Sequence, residues 1–487
     1  MRFHRTASVV AFVALAAAAC TGINSPSGGA ITAPVGTASP NDPFLDTVQT
    51  RTFHWFWDNT DPRTGLTPDR WPSRTFSSVA AIGFGLSAYI VGAERGYVSR
   101  AEAADRALAT LKYLWQLPQG AGTSGVAGYQ GFFYHFLRFD DGLRFEHVEL
   151  SSIDTALLLM GALSCEQYFD GSSGSEPAVR AYADSLYRRA NWKWFATRPP
   201  RVAMGWHPET STGQGNEFAG FNPADWTGYN EAMLLYVLAL GSPTFPVDST
   251  AWDAWTSGYQ WRDYYGQNHV NFPPLFGHQY SHVWIDFRGI QDAYMRARGI
   301  DYFENSRRAT YAQRAYAIEN SSQWTDYGAN IWGLTAADGA KDTSVTMNSR
   351  TRNFFTYRAR GAAATGVEDD GTLVPTAAGG SMPFAPEIAL PALKEMRRKY
   401  GSDLFAQYGF VDAFNPTYRF GGRLPAGRIV PNVGWFDTDY LGIDQGPILL
   451  MIENYRTGLI WKLMRGSPYV RRGLERAGFT GGWLAAK

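Results

Sequence analysis

The residues best equipped for chemistry in this sequence are carboxylic acids placed beside aromatic and amide side chains at the mouths of apolar segments. In WTGYNEAMLLYVLALGSP, Glu231 follows Trp226, Tyr229 and Asn230 and precedes nine residues without a charge. The arrangement recurs. HVELSSIDTALLLMG brings Glu149 and Asp154, and GHQYSHVWIDFRGIQDAY brings His278, Tyr280, His282, Asp286 and Arg288. GSMPFAPEIALPAL brings Glu387, and WFDTDYLGIDQGPILLMIENY brings Asp437, Asp439, Asp444, Gln445 and Glu453. Two carboxyls converging in an aromatic-lined cleft are the equipment for glycosidic bond hydrolysis. A protonated one donates to the leaving oxygen while an ionised one activates water or attacks directly. Separation decides which: roughly 6.5–9.5 Å leaves room for water and inverts, and about 5–5.5 Å retains. A crowded acidic cluster supplies the repulsion that pushes one pKa up.

Each of these residues also has a plainer reading. Acids at helix starts are favoured by capping and by the helix dipole, worth about 0.3–1 kcal/mol each. That accounts for Asp154, Asp286 and Glu387 as caps or members of buried ion pairs. Glu231 and Asp444 resist it, because Tyr229, Asn230, Tyr440 and Gln445 beside them suit contact with a ligand. His278 and His282 have the spacing of a helical metal pair, but no Glu lies between them and no third ligand can be assigned. Structural or sugar-contacting histidines are the expectation, with no metal and no cofactor. Trp226, Trp284, Trp332 and Trp435 are candidates for core or for stacking platforms, two of them expected to face a cleft.

The elements that would position these residues are helices of two kinds. SRAEAADRALATLKYLWQL is amphipathic, opening on Ser99 and Glu102 in capping-box spacing and placing Leu108, Leu111 and Trp115 on one face. EPAVRAYADSLYRRANWKWF and ENSRRATYAQRAYAIEN resemble it. TALLLMGALSC, EAMLLYVLAL and QGPILLMIENY are apolar nearly all round and must be covered on every side. Their alternation predicts an all-α, (α/α)6 toroid with an inner and an outer ring. Parallel inner helices would gather their N-terminal acids on one face. FFYHFLRFDDGLRFEHVE alternates around Asp141-Gly142 and predicts a β-hairpin on one rim.

The chain has 487 residues, with 44 basic and 44 acidic side chains, so no charge excess argues for nucleic acid. Aromatic residues make up 15% of it, enough for a large core or for a cleft that stacks on sugar rings. Cys20 and Cys165 are the only cysteines, which excludes a disulfide framework and a multi-cysteine zinc site. Residues 1–19 have a signal-peptide layout, and AAAC followed by TG resembles a lipoprotein cleavage site with Cys20 acylated, although Ala stands where such sites usually carry Leu. Periplasm, outer membrane or cell surface is the expected location, with simple secretion as the alternative. Residues 21–43 read as a Ser/Gly/Pro/Thr-rich tether, and 44–487 as one domain, expected to be monomeric.

The strings GYNEAMLLYVLALGSPT, GHQYSHVWIDFRGIQDAY and YLGIDQGPILLMIENYRTGLIWKLM resemble the bacterial glycoamylase-like domain family, which includes endo-β-1,2-glucanases. The resemblance runs from about Thr52 to the C-terminus. It implies an (α/α)6 toroid and metal-independent hydrolysis of a neutral glucan with inversion. By this similarity Glu231 is the general acid and Asp444, with Asp439 as rival, the base, while Glu149 falls in a further important acidic region. His147 departs from the small or acidic residue expected there. The alternatives are a polysaccharide lyase on the same fold, which would need a cation to neutralise a uronate, and a non-catalytic lipoprotein that captures glycans.

Overall fold

The helix Val79–Glu94, VAAIGFGLSAYIVGAE, is buried without a break from Val79 through Gly92 in the computed structural model. It packs along Ser152–Tyr168, which is buried almost as completely. Two glycines allow the close approach. A Cβ on Gly161 would lie 2.1 Å from the carbonyl oxygen of Gly83, and one on Gly83 would lie 2.4 Å from that of Leu157. The described residues are 38–485 except 214 and 348. The leader, Cys20 and most of the tether thus lie outside the described residues.

Among the described residues, buried helices follow one another in a closed order of packing. Val79–Glu94 meets Ser152–Tyr168, which meets Met233–Gly241, which meets Tyr280–Trp284. Gly442–Arg456 touches Tyr280–Trp284 and Pro375–Gly379, and returns to Val79–Glu94. Gln279 ties the two short members together by donating to the Ala377 carbonyl at 2.9 Å. Helices with one buried face, Pro43–Asn59, Arg100–Gln116, Glu176–Arg189, Tyr302–Glu319 and Pro386–Tyr400, are interspersed with them along the chain. Sequence reasoning singled out three of the buried helices. It passed over Val79–Glu94, which no acid opens, and the two short ones.

The buried helices present their N-terminal ends together. Ser281, at the start of Tyr280–Trp284, accepts from the Leu234 amide at 2.9 Å and donates to the Glu231 carbonyl at 3.0 Å. At the opposite end Asn454 donates to the Val283 carbonyl at 2.8 Å.

The capping box of Ser99 and Glu102 forms as read. Trp115 does not share the buried face of that helix. It is 39% exposed with Arg189 over its ring, and the face runs through Ala103, Ala107, Leu111 and Leu114 instead. The stretch read as a hairpin is also rearranged. A turn does form at Gly142, closed by a single bridge from Leu137 to Arg144. The flanking strands find other partners, however. Phe136–Leu137 pairs with Ser77–Ser78, and Phe132–Tyr134 joins a five-stranded antiparallel sheet with Gly128–Tyr129, Leu150–Ser151, Gly205–His207 and Gly220–Phe221. The buried aromatic residues explain the choice: Phe132 packs on Trp192 and Phe195, and Phe136 on Phe76. No helix of the described residues is long and apolar enough to cross a membrane.

Candidate active site

Backbone pairing between distant segments assembles the largest group of acids. Arg70 lies opposite Leu441 in an antiparallel pair, and the Gly442 amide donates to the Asp69 carbonyl at 2.8 Å. On the other flank the Asp412 amide donates to the Asp439 carbonyl, and the Asp437 amide to that of Ala413, both at 2.9 Å. The Asp338 amide then donates to Asp412 Oδ2 at 2.8 Å. Asp69, Asp338, Asp412, Asp437, Asp439 and Asp444 are thereby buried in one place at the N-terminal end of Gly442–Arg456. Arg70 stands among them, donating from Nε to Asp69 at 3.0 Å and from Nη1 to Asp338.

One cation cannot neutralise so many acids, and protons make up part of the difference. Burial, reinforced by Asp444 and Asp338, pushes Asp412 well above the usual carboxylate range. Burial and the surrounding acids do the same to Asp437. Asp412 and Asp444 are in side-chain hydrogen-bond contact. Asp444 is pushed up to about 7 by burial, with its bond to Asp412 working to lower it, so of the two Asp412 is the more strongly raised.

Glu231 sits just before Met233–Gly241 and is only 3% exposed. Burial, with a smaller contribution from the charge of Asp154, pushes its carboxyl up to about 7. The helix dipole favours the charged form, but burial outweighs it. Tyr280 links the two halves of the site. Its phenol is raised by burial and then by the charges of Asp444, Tyr357 and Glu231.

Beside Glu231 lies a second acidic group. His135 Nδ1 is 2.8 Å from Glu149 Oε1, and its Nε2 is 3.5 Å from Asp154 Oδ1. Against the effect of burial, these two acids raise the imidazole to about 9, so it is a cation at neutral pH. Glu149, Asp154, His207, Glu217, Phe218 and Trp226 face a small pocket of about 50 Å³. Two triads, His135/Glu149/Asp154 and Asp338/Asp412/Asp437, bring oxygen or nitrogen atoms within 4.8 Å of one another. Both have counter-charge from the chain itself, the imidazolium in the first and Arg70 in the second. We assign neither to a metal.

The residues singled out from the sequence divide sharply. Glu231, Glu149, Asp154, Tyr280, Asp439, Asp444 and Trp226 belong to these groups. Asp439 accepts the Ser73 amide at 2.8 Å, and the Trp226 indole donates to Ser152 at 2.9 Å. The others have different work. Asp286 lies beyond the C-terminal end of Tyr280–Trp284, bound by Arg288 and Arg465. Glu387 opens an outer helix and pairs with Arg307 and Tyr311. Glu453 is in the last turn of its helix, held by Gln49, Arg95 and Thr457. Asn230 builds the turn before the helix by accepting the Ala232 amide at 3.0 Å, and Gln445 donates to the Phe410 carbonyl at 3.0 Å.

Several aromatic platforms and histidines are core as well. Tyr229 stacks on Tyr302, and His278 contacts the Phe272 carbonyl. His282 meets Ser306, and the indoles of Trp284 and Trp435 donate to Ser87 and the Ala426 carbonyl. Trp332 is fully buried. Inner helices in contact on every side leave their aromatic residues no free face.

The Glycoamylase family model, whose description reads "Putative glucoamylase", matches residues 223–468, the stretch that carries Glu231, Tyr280, Asp338, Asp412 and Asp444. The chain belongs to this family. A structure from Bacteroides uniformis ATCC 8492, described in the same words, is similar at 30% identity and a TM-score of 0.74, covering 92% of this chain and 100% of that one. An endo-β-1,2-glucanase from Chitinophaga pinensis, solved with sophorotriose and glucose, is similar at 28% identity and 0.74, covering 92% and 100%. The exo β-1,2-glucooligosaccharide sophorohydrolase (non-reducing end) of Parabacteroides distasonis is 28% identical over 466 residues, 90% of this chain. The chain spans 58% of that curated relative's length.

Within the family fold, sequence reasoning missed Asp69, Arg70, His135, Asp338 and Asp412. All lie in strands of a few residues or in loops, where neither helical periodicity nor a capping pattern marks them. The TPDRW string, with an acid and a base side by side, was one available signal.

Proposed function

We propose that the protein is a glycoside hydrolase acting on a neutral β-1,2-linked glucan, with Glu231 as general acid and Asp444 as base. The observation that carries this reading is a set of buried carboxyls without a counter-charge at the N-terminal ends of the buried helices: Glu231, which burial pushes up to about 7, and Asp444, likewise raised to about 7 and in hydrogen-bond contact with Asp412. Glu231 donates to the glycosidic oxygen as the bond to the anomeric carbon breaks. Asp444 removes a proton from the attacking water, and the anomeric carbon inverts. Family membership and relatives named for β-1,2-glucan substrates support the substrate class.

The buried helices would form the inner ring of an (α/α)6 toroid spanning residues 44–487, with Cys20 lipidated and the domain outside the cytoplasm. We favour endo cleavage, as in the Chitinophaga relative. A lyase fits less well, because Arg70 is already held by Asp69 and Asp338 and is not free to neutralise a uronate.

The test is incubation of the protein lacking residues 1–20 with linear β-1,2-glucan, analysing product length and, by NMR, the first-formed anomer. Short β-1,2-linked products of inverted configuration support the reading. No turnover of β-1,2-, β-1,3-, β-1,4- or α-glucans would replace it with glycan capture, and an unsaturated product absorbing in the ultraviolet would replace it with a lyase.

A further inference from the structure

Asp412 has no role among the residues discussed as acid and base, yet it is almost completely enclosed. It is 1% exposed. Its amide donates to the Asp439 carbonyl at 2.9 Å, and its Oδ2 accepts the Asp338 amide at 2.8 Å. Its Oδ1, fully buried, has no nitrogen or hydroxyl donor among the described residues. The Asp412 and Asp444 side chains are themselves in hydrogen-bond contact. Two buried carboxyls in hydrogen-bond contact cannot both be ionised, so a proton must lie between them.

We propose that Asp412 is a positioning residue for the base: it keeps a proton on Oδ1, donates it as a hydrogen bond to Asp444, and so holds Asp444 ionised and oriented towards the substrate. This rests on the reading of Asp444 as base. The placement of the proton follows from surroundings. Asp444 lies in the first turn of Gly442–Arg456, where the helix N-terminus favours negative charge. Arg70 acts on it as well. Asp412 has only one backbone amide and faces Asp338 and Asp437, both acidic. Arg360, nearby, has its charge taken by Asp370, which accepts from it at 2.7 and 2.8 Å. The remaining titratable groups around the pair are Asp69, Asp439, Tyr280 and Tyr357. In the reaction the Asp412 proton stays in place. Asp444 takes its proton from water as the water oxygen bonds to the anomeric carbon, while Glu231 protonates the departing oxygen.

The amide of asparagine reproduces this geometry, with its oxygen accepting from Asp338 and its nitrogen donating to Asp444. The experiment compares Asp412→Asn and Asp412→Ala in the full chain, measuring kcat, KM, the pH–rate profile and Tm. Asp412→Ala should lower kcat about 100-fold with little change in KM and move the acid limb of the profile to higher pH. Asp412→Asn should recover most of the loss, leaving kcat within about fivefold of the parent. A folded Asp412→Asn as impaired as Asp412→Ala would overturn the proposal, since an ionised Asp412 would then be required. Equal, near-parental rates for both variants would overturn it as well. A readout that needs no turnover separates this from failure of the functional reading: the infrared difference spectrum of parent minus Asp412→Asn at pH 7. The proposal requires loss of a protonated-carboxyl C=O band, and loss of an ionised-carboxylate band instead would refute it.

Discussion

The two ends of the buried helices treat carboxylates in opposite ways. At the C-terminal end Asp286 receives two arginines, and Glu453 receives an arginine, an amide and a hydroxyl. Both acids are fully compensated. At the N-terminal end Glu231, Asp412, Asp437 and Asp444 are equally buried, but among the described residues none of them is paired with an arginine, and Arg70 beside them is held by Asp69 and Asp338. Burial is common to both ends, so burial alone does not mark a reactive acid. The difference is whether the chain supplies a counter-charge, and where it does not, the acid keeps a proton or shares one.

That comparison is most exposed to failure at Glu231. Glu231→Gln should fold and lose about 10³-fold or more in kcat, within the range for removing a general acid. Asp444→Asn should cost about 10²–10³-fold in kcat with little change in KM, if it is the base. The same variant of Glu231 should also change how stability depends on pH. A carboxyl whose folded pKa rises from 4.5 to about 7 contributes fully below about pH 4.5, and that contribution is lost as pH rises through 7. Relative to Glu231→Gln, the parent should therefore lose about 3 kcal/mol between pH 4.5 and pH 8, measured by urea unfolding at each pH. An equal pH dependence in the two proteins would show that Glu231 does not titrate as described.

At the compensated end the expected effects are on stability. Asp286→Asn should cost about 1–3 kcal/mol, because its arginines are partly exposed and can turn to water, and should leave kcat on β-1,2-glucan unchanged. Glu387→Gln, a half-exposed pair on an outer helix, should cost less than about 1 kcal/mol. A hundredfold loss of kcat in a stable Asp286→Asn would erase the distinction between the two ends.

How far the site could be read from sequence follows the same physics. Helices announce themselves through periodicity and caps, so Ser152–Tyr168, Met233–Gly241 and Gly442–Arg456 were legible, and with them Asp154, Glu231 and Asp444. Compensation is not local. Arg288 lies two residues from Asp286, but Arg465 reaches it across 179 positions and Arg95 reaches Glu453 across 358, so the full compensation of neither acid could be read nearby. Asp338 and Asp412 were hidden for the converse reason: each lies in a loop or two-residue strand, and the pairings that bring them to Asp444 join segments remote in the chain. Trp284, Trp332 and Trp435, candidate platforms in the sequence, are buried on every side, Trp284 within a buried helix and Trp435 within a three-stranded sheet.

The most direct test of the central claim is the pH–rate profile of β-1,2-glucan cleavage for the parent and Glu231→Gln. The parent should show an alkaline limb with a midpoint near pH 7, set by loss of the Glu231 proton, and the residual activity of the variant no such limb. A parent profile flat from pH 6 to beyond about pH 9, or an alkaline limb that survives in Glu231→Gln, would contradict the claim.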